Sequence, residues 1–476
     1  MAIKLYNTLN KKEEKFLPLK KSITTIYTCG PTVYDYAHTG NFRKYIFDDI
    51  LIRTLLFNGL KVKHVINLTD VGHLVSDADE GEDKMMKALR REKLEPTEKN
   101  LIMMIDRYIR AFKRDVAALN VFAYINNPKY SICWAKATDF IKEQLKLIKK
   151  LDKKGFVYQT SDGVYFDTSK VKDYGKLTGQ NLADLLEGAR VEKNSEKKNH
   201  TDFALWIKAV GKNKNHVRTW DSPYGKGFPG WHIECSAMAI KLLGKTIDIH
   251  TGGIDHLSIH HPNEIAQSES ATGKQFSRFW MHSNFLTVNN EKMSKSTGGF
   301  ETLDTLTTKG FSPMDYRYFN LTAHYRTPLS YSVSALESAR NSRLRLIEQM
   351  VKVDQRGKVI DEEVEAFKKI INKDLDTPKA LAYTWQLLKN KKYSPEDIVT
   401  TVLEFDQVFG LDLKLIWKQK KQAALDIPQE IKDLADKRLT AKQSKDFKTS
   451  DSLRDEILSK GYIIEDSGNN YTLKKK

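Results

Sequence analysis

Residues 23–67 contain the pattern that decides the fold of this chain. They read ITTIYT (23–28), CGPTVYDYAHTGN (29–41), FRKYIFDDILIRTLLFN (42–58) and, after a short break, VKHVIN (62–67). The first and last segments have the composition of strands, whereas residues 41–58 have apolar residues at helical spacing. A strand, a loop, a helix and a second strand in this order predict a parallel sheet that binds ligands at the carboxyl ends of its strands.

The loop between the first strand and the helix carries residues that suit an anionic ligand. His38 and Gly40 stand at the helix entry, where free N–H groups and the positive end of the helix dipole favour negative charge. Gly40 lets a ligand approach the backbone, and His38 can donate to a phosphate. A histidine at a helix start is more often a cap or a packed side chain, so this loop alone does not identify a site.

Elsewhere the pattern predicts a sheet that is interrupted and then resumed. Residues 98–151 have helical spacing, residues 155–167 alternate as a hairpin does, and residues 246–250 return to the pattern of a buried strand. Beyond about residue 330 the chain is almost wholly helical in pattern, with a hairpin at residues 462–473. We therefore expect an α/β protein with a long insertion in its sheet and a helical C-terminal region.

The composition excludes several classes of protein. Of the 476 residues, 40% are hydrophobic and 29% are charged, which is typical of a folded chain and not of a disordered or collagenous one. No apolar run approaches the ~18 residues of a spanning helix, and the first ten residues lack a signal-peptide core, so a cytoplasmic protein without membrane contact is expected. The net charge of +17 favours anionic partners, although a lysine-rich surface would give the same value.

Three cysteines, Cys29, Cys133 and Cys235, are odd in number and far apart, so we expect thiols or metal ligands and no disulfide framework. Cys235 lies in GWHIECSAM (230–238), and HHPNE follows at residues 260–264. None of the spacings is a CxxC pair, so the pattern alone favours buried thiols over a metal site. Cys133 lies within a helical pattern, and we expect a packed thiol there.

A lysine-rich segment about 250 residues after His38 reads EKMSKSTGG (291–299). Ammonium groups on an exposed loop can neutralise the charge that develops as pyrophosphate leaves a triphosphate. In this order, HTGN (38–41) and KMSKS (292–296) resemble the HIGH and KMSKS signatures of class I aminoacyl-tRNA synthetases. That resemblance implies ATP binding and catalysis for one set of residues: His38, Gly40, Asn41, Lys292 and Lys295.

With CGPTVYD (29–35), GWHIECSAM and HHPNEIAQS (260–268), these motifs resemble the cysteinyl-tRNA synthetases over nearly the whole chain. The resemblance implies that four residues hold one Zn²⁺ ion per chain: Cys29, Cys235, His260 and Glu264. Two thiolates, an imidazole and a carboxylate are a plausible zinc donor set. The resemblance also implies that zinc selects cysteine over serine, because a thiolate is a far better zinc ligand than a hydroxyl.

The resemblance implies further positions around the substrates. The amino-acid pocket would contain Gly30, Thr69, Trp231, His250 and Asp255. A turn near the nucleotide would contain Gly252, Gly253 and Asp255. The structural alternatives are a core aromatic for Trp231 and a hydrogen-bonded strand end for Thr69. The chain departs from the family pattern at positions other than the implied zinc ligands and Lys295: Thr39, Asn41, His256, Pro262 and Gly299.

The implied architecture is a Rossmann-type α/β catalytic domain with an inserted connective domain, followed by a helical bundle and a small C-terminal anticodon-binding module. We expect the two halves of the catalytic domain at residues 1–115 and 228–275, the insertion at 116–227, a KMSKS-bearing junction at 276–325, the bundle at 326–426 and the terminal module at 427–476.

The resemblance implies an enzyme that forms cysteinyl adenylate from L-cysteine and ATP, with Mg²⁺ on the phosphates, and transfers cysteine to the terminal ribose of tRNA(Cys). A monomer is expected. Two alternatives are an ATP-dependent ligase that couples cysteine to an amino sugar in mycothiol synthesis, and a catalytically dead synthetase-like RNA-binding protein. The first would lack a tail such as residues 331–476, and the second would lack metal ligands or Lys295. The sequence has both the tail and these residues.

Overall fold

The structure is a computed structural model. It describes residues 2–71, 83–124, 127–179, 196–288, 291–292, 301–353, 355–425, 427–467 and 470–476. The chain divides into two compact units. The first unit comprises Met1–Asn341, Asp361–Thr384 and Gln407–Leu411. The second unit comprises Ser342–Ile360, Trp385–Asp406 and Asp412–Lys476.

A five-stranded parallel sheet forms the centre of the first unit. With strands numbered in chain order, its spatial order is β11 (Ser277–Ser283), β10 (Ile247–Gly253), β3 (Thr24–Thr28), β4 (Val62–Leu68) and β5 (Tyr130–Lys136). The chain runs from β3 outward to β5 on one side and returns through β10 to β11 on the other. This reversal between β3 and β10 leaves a crevice at their carboxyl ends, as the sequence predicts.

Helix α1 (Thr39–Phe57) connects β3 to β4 and confirms the helix predicted at residues 41–58. It ends before Asn58 and Gly59, and Gly59 adopts a φ of +82°, a conformation that glycine enters without steric cost. Residues 42–55 of the helix are buried, including charged side chains. The helix is therefore packed on all sides and does not present one apolar face.

Further helices of the first unit are α2 (Lys84–Arg91), α3 (Glu98–Ala118), α4 (Ile141–Lys153), α5 (Trp231–Leu242), α6 (His260–Thr272), α7 (Leu303–Thr308) and α8 (Pro313–Leu321). The continuous helical pattern predicted for residues 98–151 is wrong, because β5 separates α3 from α4. Cys133 consequently lies in β5, opposite Val65 of β4. Its half-buried thiol packs against the core beside the sheet, as expected of a packed thiol.

A four-stranded antiparallel sheet has three of its strands within the predicted insertion, whereas its fourth strand begins at the last residue of that insertion. Its strands are β6 (Val157–Gln159), β7 (Gly163–Phe166), β8 (Phe203–Lys208) and β9 (Gly227–Pro229). Strand β5 also falls within the predicted insertion, but it pairs with β4 in the parallel sheet. The remaining short strands of the first unit are β1 (Lys4–Asn7), β2 (Lys12–Lys15), β12 (Leu286–Val288), β13 (Glu291–Lys292) and β14 (Leu329–Ser330). The domain boundaries stay predictions.

The C-terminal part of the chain is largely helical, as predicted. Its helices are α9 (Val333–Val351), α10 (Asp361–Ile371), α11 (Thr377–Leu387), α12 (Pro395–Phe409), α13 (Leu413–Leu425), α14 (Gln429–Gln443) and α15 (Phe447–Ser459). A hairpin of β15 (Tyr462–Ser467) and β16 (Asn470–Lys475) follows. Ile431, Ile457 and Ile464 join α14, α15 and β15 in a small core of their own. Among the described residues, no helix combines the length and the apolar character that crossing a bilayer requires.

A buried ion-pair network fixes α1 within the first unit. One carboxylate oxygen of Asp49 accepts hydrogen bonds from Arg53 (2.7 Å) and from Arg317 of α8 (2.5 Å). Arg317 also donates to the carbonyl oxygens of Phe409 (2.6 Å) and Leu119 (2.9 Å). Burial alone would raise the pKa of Asp49, but the two guanidinium groups outweigh it and hold that pKa below its ordinary value.

Replacing Arg317 should destabilise the protein strongly, because the buried Asp49 carboxylate loses one of its two guanidinium partners. We expect Arg317→Met to lower the free energy of unfolding of the first unit by about 3–5 kcal/mol in urea titrations. Lys12→Met is the control, since the Lys12 side chain is 67% exposed and its partner Glu14 keeps hydrogen bonds from Asn7 and Asn10. That substitution should cost less than about 1 kcal/mol. Equal losses for the two variants would contradict a stabilising role for the buried network.

Candidate functional site

An open cleft of about 1700 Å³, including solvent space at its mouth, lies at the carboxyl ends of β3, β4 and β10. The residues that line it include nine of those that the sequence predicts for the site: Cys29, Gly30, His38, Gly40, Asn41, Trp231, Gly253, Asp255 and His260. The structure therefore brings the motif at the helix entry and part of the predicted metal site to one cleft.

Four candidate metal ligands meet at the wall of this cleft. The ligand atoms of Cys29, Cys235, His260 and Glu264 all lie within 4.8 Å of one another, and all four residues are buried. Nε2 of His260 lies 3.1 Å from Oε1 of Glu264, and Sγ of Cys29 lies 3.8 Å from the same oxygen. Cys29 follows β3, Cys235 lies on α5, and one turn of α6 separates the other two. This cluster, the outer group, contains the four predicted zinc ligands and could hold a metal ion.

A second candidate group overlaps the first. The inner group consists of Cys29, His250, His261 and Glu264, and its ligand atoms also lie within 4.8 Å of one another. Nε2 of His261 is 3.3 Å from Sγ of Cys29, and Nε2 of His250 is 3.0 Å from Oε2 of Glu264. His250 and His261 have no exposed surface, whereas His260 of the outer group lines the cleft. A substrate in the cleft therefore has access to the outer group.

The side chains of the outer group shift one another's pKa values, because they are buried in contact with one another. Burial raises the pKa of the Cys29 thiol well above its ordinary value. Burial acts on Cys235 in the same direction, but hydrogen bonds with Cys29 and His260 outweigh it and the pKa falls to about 6. Burial alone would lower the pKa of His260, yet the Glu264 carboxylate raises it to about 10. Glu264 itself, opposed by burial but paired with imidazoles, has a pKa far below its usual range. A metal ion bound to the outer group would displace the protons that Cys29 and His260 hold.

The helix-entry motif lies on the same cleft. His38 precedes α1, and its backbone N–H donates to the side-chain oxygen of Asn41 (3.1 Å). The backbone N–H of Thr39 donates to the carbonyl oxygen of Glu301 (2.8 Å), so the residue that follows EKMSKSTGGF contacts the start of α1. The backbone of Lys292 forms part of β13. The prediction for Lys295 lies outside the described residues.

At two positions of the site, only glycine fits without a steric clash. A Cβ at Gly30 would lie 1.7 Å from the carbonyl oxygen of Asn67, and one at Gly252 would lie 2.5 Å from the ring of His261. Gly252 and Gly253 end β10 and pair with β11, so they do not form the predicted turn. The turn follows at Ile254–Leu257 and contains the exposed Asp255, because the strand hydrogen bonds continue through both glycines.

The residues predicted for the amino-acid pocket divide into two sets. Gly30, Trp231 and Asp255 line the cleft, and the Trp231 ring centroid lies 4.1 Å from that of His260. Thr69 and His250 are buried, with 1% and 0% of their surface exposed. The backbone N–H of Thr69 donates to the carbonyl oxygen of Pro31, and its carbonyl oxygen accepts from the N–H of Val33. These bonds hold the loop after β3, as the alternative of a hydrogen-bonded strand end describes. A place for Thr69 in the amino-acid pocket stays a prediction. The His250 side chain is hydrogen-bonded to Glu264 and is not among the residues that line the cleft.

Lys44 is a cleft residue that sequence reasoning missed. It lies one turn after Asn41 on α1 and lines the cleft, although only 8% of its surface is exposed. Its ammonium donates to the carbonyl oxygen of Cys29 (2.5 Å) and pairs with Asp48 (2.8 Å). The i, i+3 and i+7 spacing of Asn41, Lys44 and Asp48 places all three on one helix face. The sequence signal for Lys44 is therefore a row of polar residues on one face of a helix whose other residues are mostly apolar.

Comparisons with known proteins agree with these features. Residues 15–341 match the family described as the class I (C) tRNA synthetase catalytic domain. The chain is 41% identical to a cysteine–tRNA ligase of Treponema denticola, over the whole of both chains. It is 43% identical to cysteine–tRNA ligase 1 of Burkholderia lata, over 98% of this chain and 96% of that protein.

Solved structures support the fold. A methionyl-tRNA synthetase of Mycobacterium tuberculosis in complex with methionyl-adenylate is 15% identical, with a TM-score of 0.56 over 85% of this chain and 96% of that one. A second structure of a synthetase from the same organism with bound methionyl-adenylate has a TM-score of 0.52 at 14% identity, over 83% of this chain and 93% of that one. At these identities the similarity extends to the fold alone, and it is the Rossmann-type fold that the sequence predicts.

Proposed function

Because the chain belongs to the cysteine–tRNA ligase family of class I aminoacyl-tRNA synthetases, we propose that it activates L-cysteine with ATP, forming cysteinyl adenylate and pyrophosphate, and transfers cysteine to the 3′-terminal ribose of tRNA(Cys). The observation that carries the proposal is the loop of residues 29–38. One end of this loop provides the Cys29 thiol of the outer group, and the other end provides His38 at the start of α1. The proposed thiol-selecting site and the proposed phosphate-binding site would therefore share one cleft.

The outer group fits a zinc ion. Its four donors are two thiols, an imidazole nitrogen and a carboxylate oxygen, which are the atoms that zinc prefers in proteins. When bound, zinc would hold the substrate cysteine as a thiolate and would bind the hydroxyl of serine poorly. The outer group is preferred over the inner group because His260 lines the cleft. The selection of cysteine would then need no separate editing site, since the serine hydroxyl cannot replace the thiolate.

The protein's own residues would position the reactants. Asp255 faces the cleft and would pair with the substrate ammonium, while the Trp231 ring would pack against the substrate beside His260. His38 and the N-terminal end of α1 would bind the phosphates of ATP, whose Mg²⁺ ion is also proposed. The cysteine carboxylate attacks the α-phosphorus and pyrophosphate leaves, so no side chain forms a covalent bond. Lys295 would stabilise the charge on the departing pyrophosphate.

The C-terminal part of the chain favours the tRNA enzyme over the sugar ligase. Helices α14 and α15 and the final hairpin have their own apolar core, as a separate binding module does. We propose that this module binds the anticodon end of the tRNA. Neither alternative function has an observation of its own in its favour. The cytoplasmic location and the monomeric state stay predictions.

The zinc proposal predicts a selective loss of metal and activity. We expect about one zinc per chain in the purified protein, and Cys235→Ala should lose most of it because the variant lacks one thiolate ligand. Elemental analysis and ATP–pyrophosphate exchange with cysteine or serine would measure both effects. The intact enzyme should exchange with cysteine far faster than with serine. The control Cys133→Ala should keep zinc and exchange, and full retention of zinc in Cys235→Ala would exclude the outer group.

Lys295 should act mainly in the transition state. We expect Lys295→Ala to lower the rate constant of adenylation much more than it weakens ATP binding, because differential stabilisation of a transition state changes the rate. Single-turnover adenylation at several ATP concentrations separates the two effects. An exposed loop lysine without a role would change neither constant. A loss of ATP affinity with an unchanged rate constant would contradict the proposed role.

Removing the terminal module should separate the two half-reactions. A chain that ends at residue 426 should retain cysteine-dependent ATP–pyrophosphate exchange, because the outer group and both signature motifs precede residue 300. Aminoacylation of tRNA(Cys) should fall sharply, and tRNA affinity should depend less steeply on salt because phosphate contacts are lost. If the shortened protein is folded and charges tRNA(Cys) as well as the intact chain, the module does not read the anticodon.

A further inference from the structure

His232 lies directly behind one of the candidate metal ligands. It belongs to the first turn of α5, and no part of its surface is exposed. Its Nδ1 atom is 2.9 Å from Nδ1 of His260. The other ring nitrogen of His260, Nε2, is 3.1 Å from Oε1 of Glu264. His260 therefore directs one nitrogen to the outer group and the other nitrogen to His232.

The two Nδ1 atoms are close enough for a hydrogen bond, and metal binding by His260 would determine which of them carries the proton. A ring nitrogen that binds a metal ion has no proton, so a neutral His260 that binds through Nε2 is protonated at Nδ1. Two nitrogens 2.9 Å apart then form a hydrogen bond in which His260 donates and His232 accepts. His232 must for this reason leave its own Nδ1 unprotonated.

We propose that His232 is a positioning residue for the metal ion: it accepts the Nδ1 proton of His260 and so fixes the tautomer and the ring orientation in which Nε2 of His260 is a ligand. The inference rests on the proposed function for the identity of the ion. Partners of this kind orient metal-binding histidines and raise their basicity. Here the partner is a second imidazole, supplied by a residue on the same helix as Cys235.

The surrounding contacts hold His232 in the required place. The backbone carbonyl oxygen of His232 accepts a hydrogen bond from the Gln267 side chain (2.6 Å), which also donates to Ser236 (2.7 Å). These bonds join α5 to α6, the two helices that carry Cys235 and His260. The His232 ring packs edge-on against Phe203, with 5.3 Å between the centroids. A shift of either helix would therefore move the His232 acceptor and the His260 ligand together.

The test compares variants that keep or remove the acceptor. In His232→Asn, the amide oxygen takes the position of Nδ1, and zinc affinity should stay within about threefold of that of the intact protein. In His232→Leu the acceptor is lost, and in His232→Gln it lies about one bond further from the backbone. Both variants should bind zinc about 10- to 100-fold more weakly. Competition with a chromophoric chelator gives the zinc affinity of each protein without an activity assay.

His64→Leu is the matched control. His64 is also fully buried, and its Nδ1 is hydrogen-bonded to the Tyr130 hydroxyl (3.0 Å), but it does not belong to either candidate metal group. This variant should lose stability and keep its zinc affinity. Cobalt-substituted proteins provide a spectroscopic readout, because the visible bands should match between the intact protein and His232→Asn and differ in His232→Gln.

The outcomes distinguish this inference from the proposed function. If the intact protein binds no zinc, the proposed metal is wrong before any variant is compared. If it binds zinc and His232→Gln binds it as tightly, or if His232→Asn weakens binding as much as His232→Gln does, His232 does not act as a hydrogen-bond acceptor for His260. The comparison of Asn with Gln decides the question even if His232→Leu does not fold.

Discussion

A single buried carboxylate, that of Glu264, is the constraint on which the site depends. Its two oxygens lie 3.0 Å from a nitrogen of His250 and 3.1 Å from one of His260, and no part of the residue is exposed. Burying an ionised carboxylate is costly unless charged or hydrogen-bonding partners surround it. His260 lies on α6 itself, whereas His250 lies on β10 of the sheet. Helix α6 can therefore dock on the sheet only where the Glu264 carboxylate reaches His250. The same carboxylate lies beside Cys29, at the end of the neighbouring strand.

A hydrogen bond between the Cys29 backbone and a side chain of α1 connects the candidate metal site to this helix. The carbonyl oxygen of Cys29 accepts a hydrogen bond from the Lys44 ammonium, and Lys44 lies one turn beyond Asn41 on α1. The orientation of α1 is fixed in turn by the buried network of Asp49 and Arg317. The thiol of Cys29, a candidate metal ligand, and the N-terminus of α1 are thus held at a fixed separation at the two ends of one loop. Two substrates that react with each other need such a fixed separation, because orientation lowers the entropic part of the barrier.

The sequence predicts the features that depend on local pattern and on motifs. The first strands, α1 and the parallel sheet follow from periodicity, and the four members of the outer group follow from family motifs. Periodicity fails at Cys133, because a short half-buried strand between two helices can continue their apolar pattern. Spacing also cannot reveal contacts between residues as distant as Cys29 and Glu264, which are 235 positions apart. The burial of Thr69 and the place of His250 behind Glu264 depend on such contacts.

The overlap of the two candidate metal groups has a physical explanation. They share Cys29 and Glu264 and together contain six residues, which is more than the four ligands that zinc usually takes. Both groups offer four protein ligands, but Cys29 is the one member of the inner group that lines the cleft, whereas Cys29 and His260 of the outer group both line it. An ion that takes part in a reaction needs a position open to substrate, which favours the outer group. The imidazoles of the inner group have another use. His250 bonds to Glu264 and His261 contacts Cys29, so each of them contacts a ligand that the two groups share. The inner group therefore supports the outer one and need not compete with it for an ion.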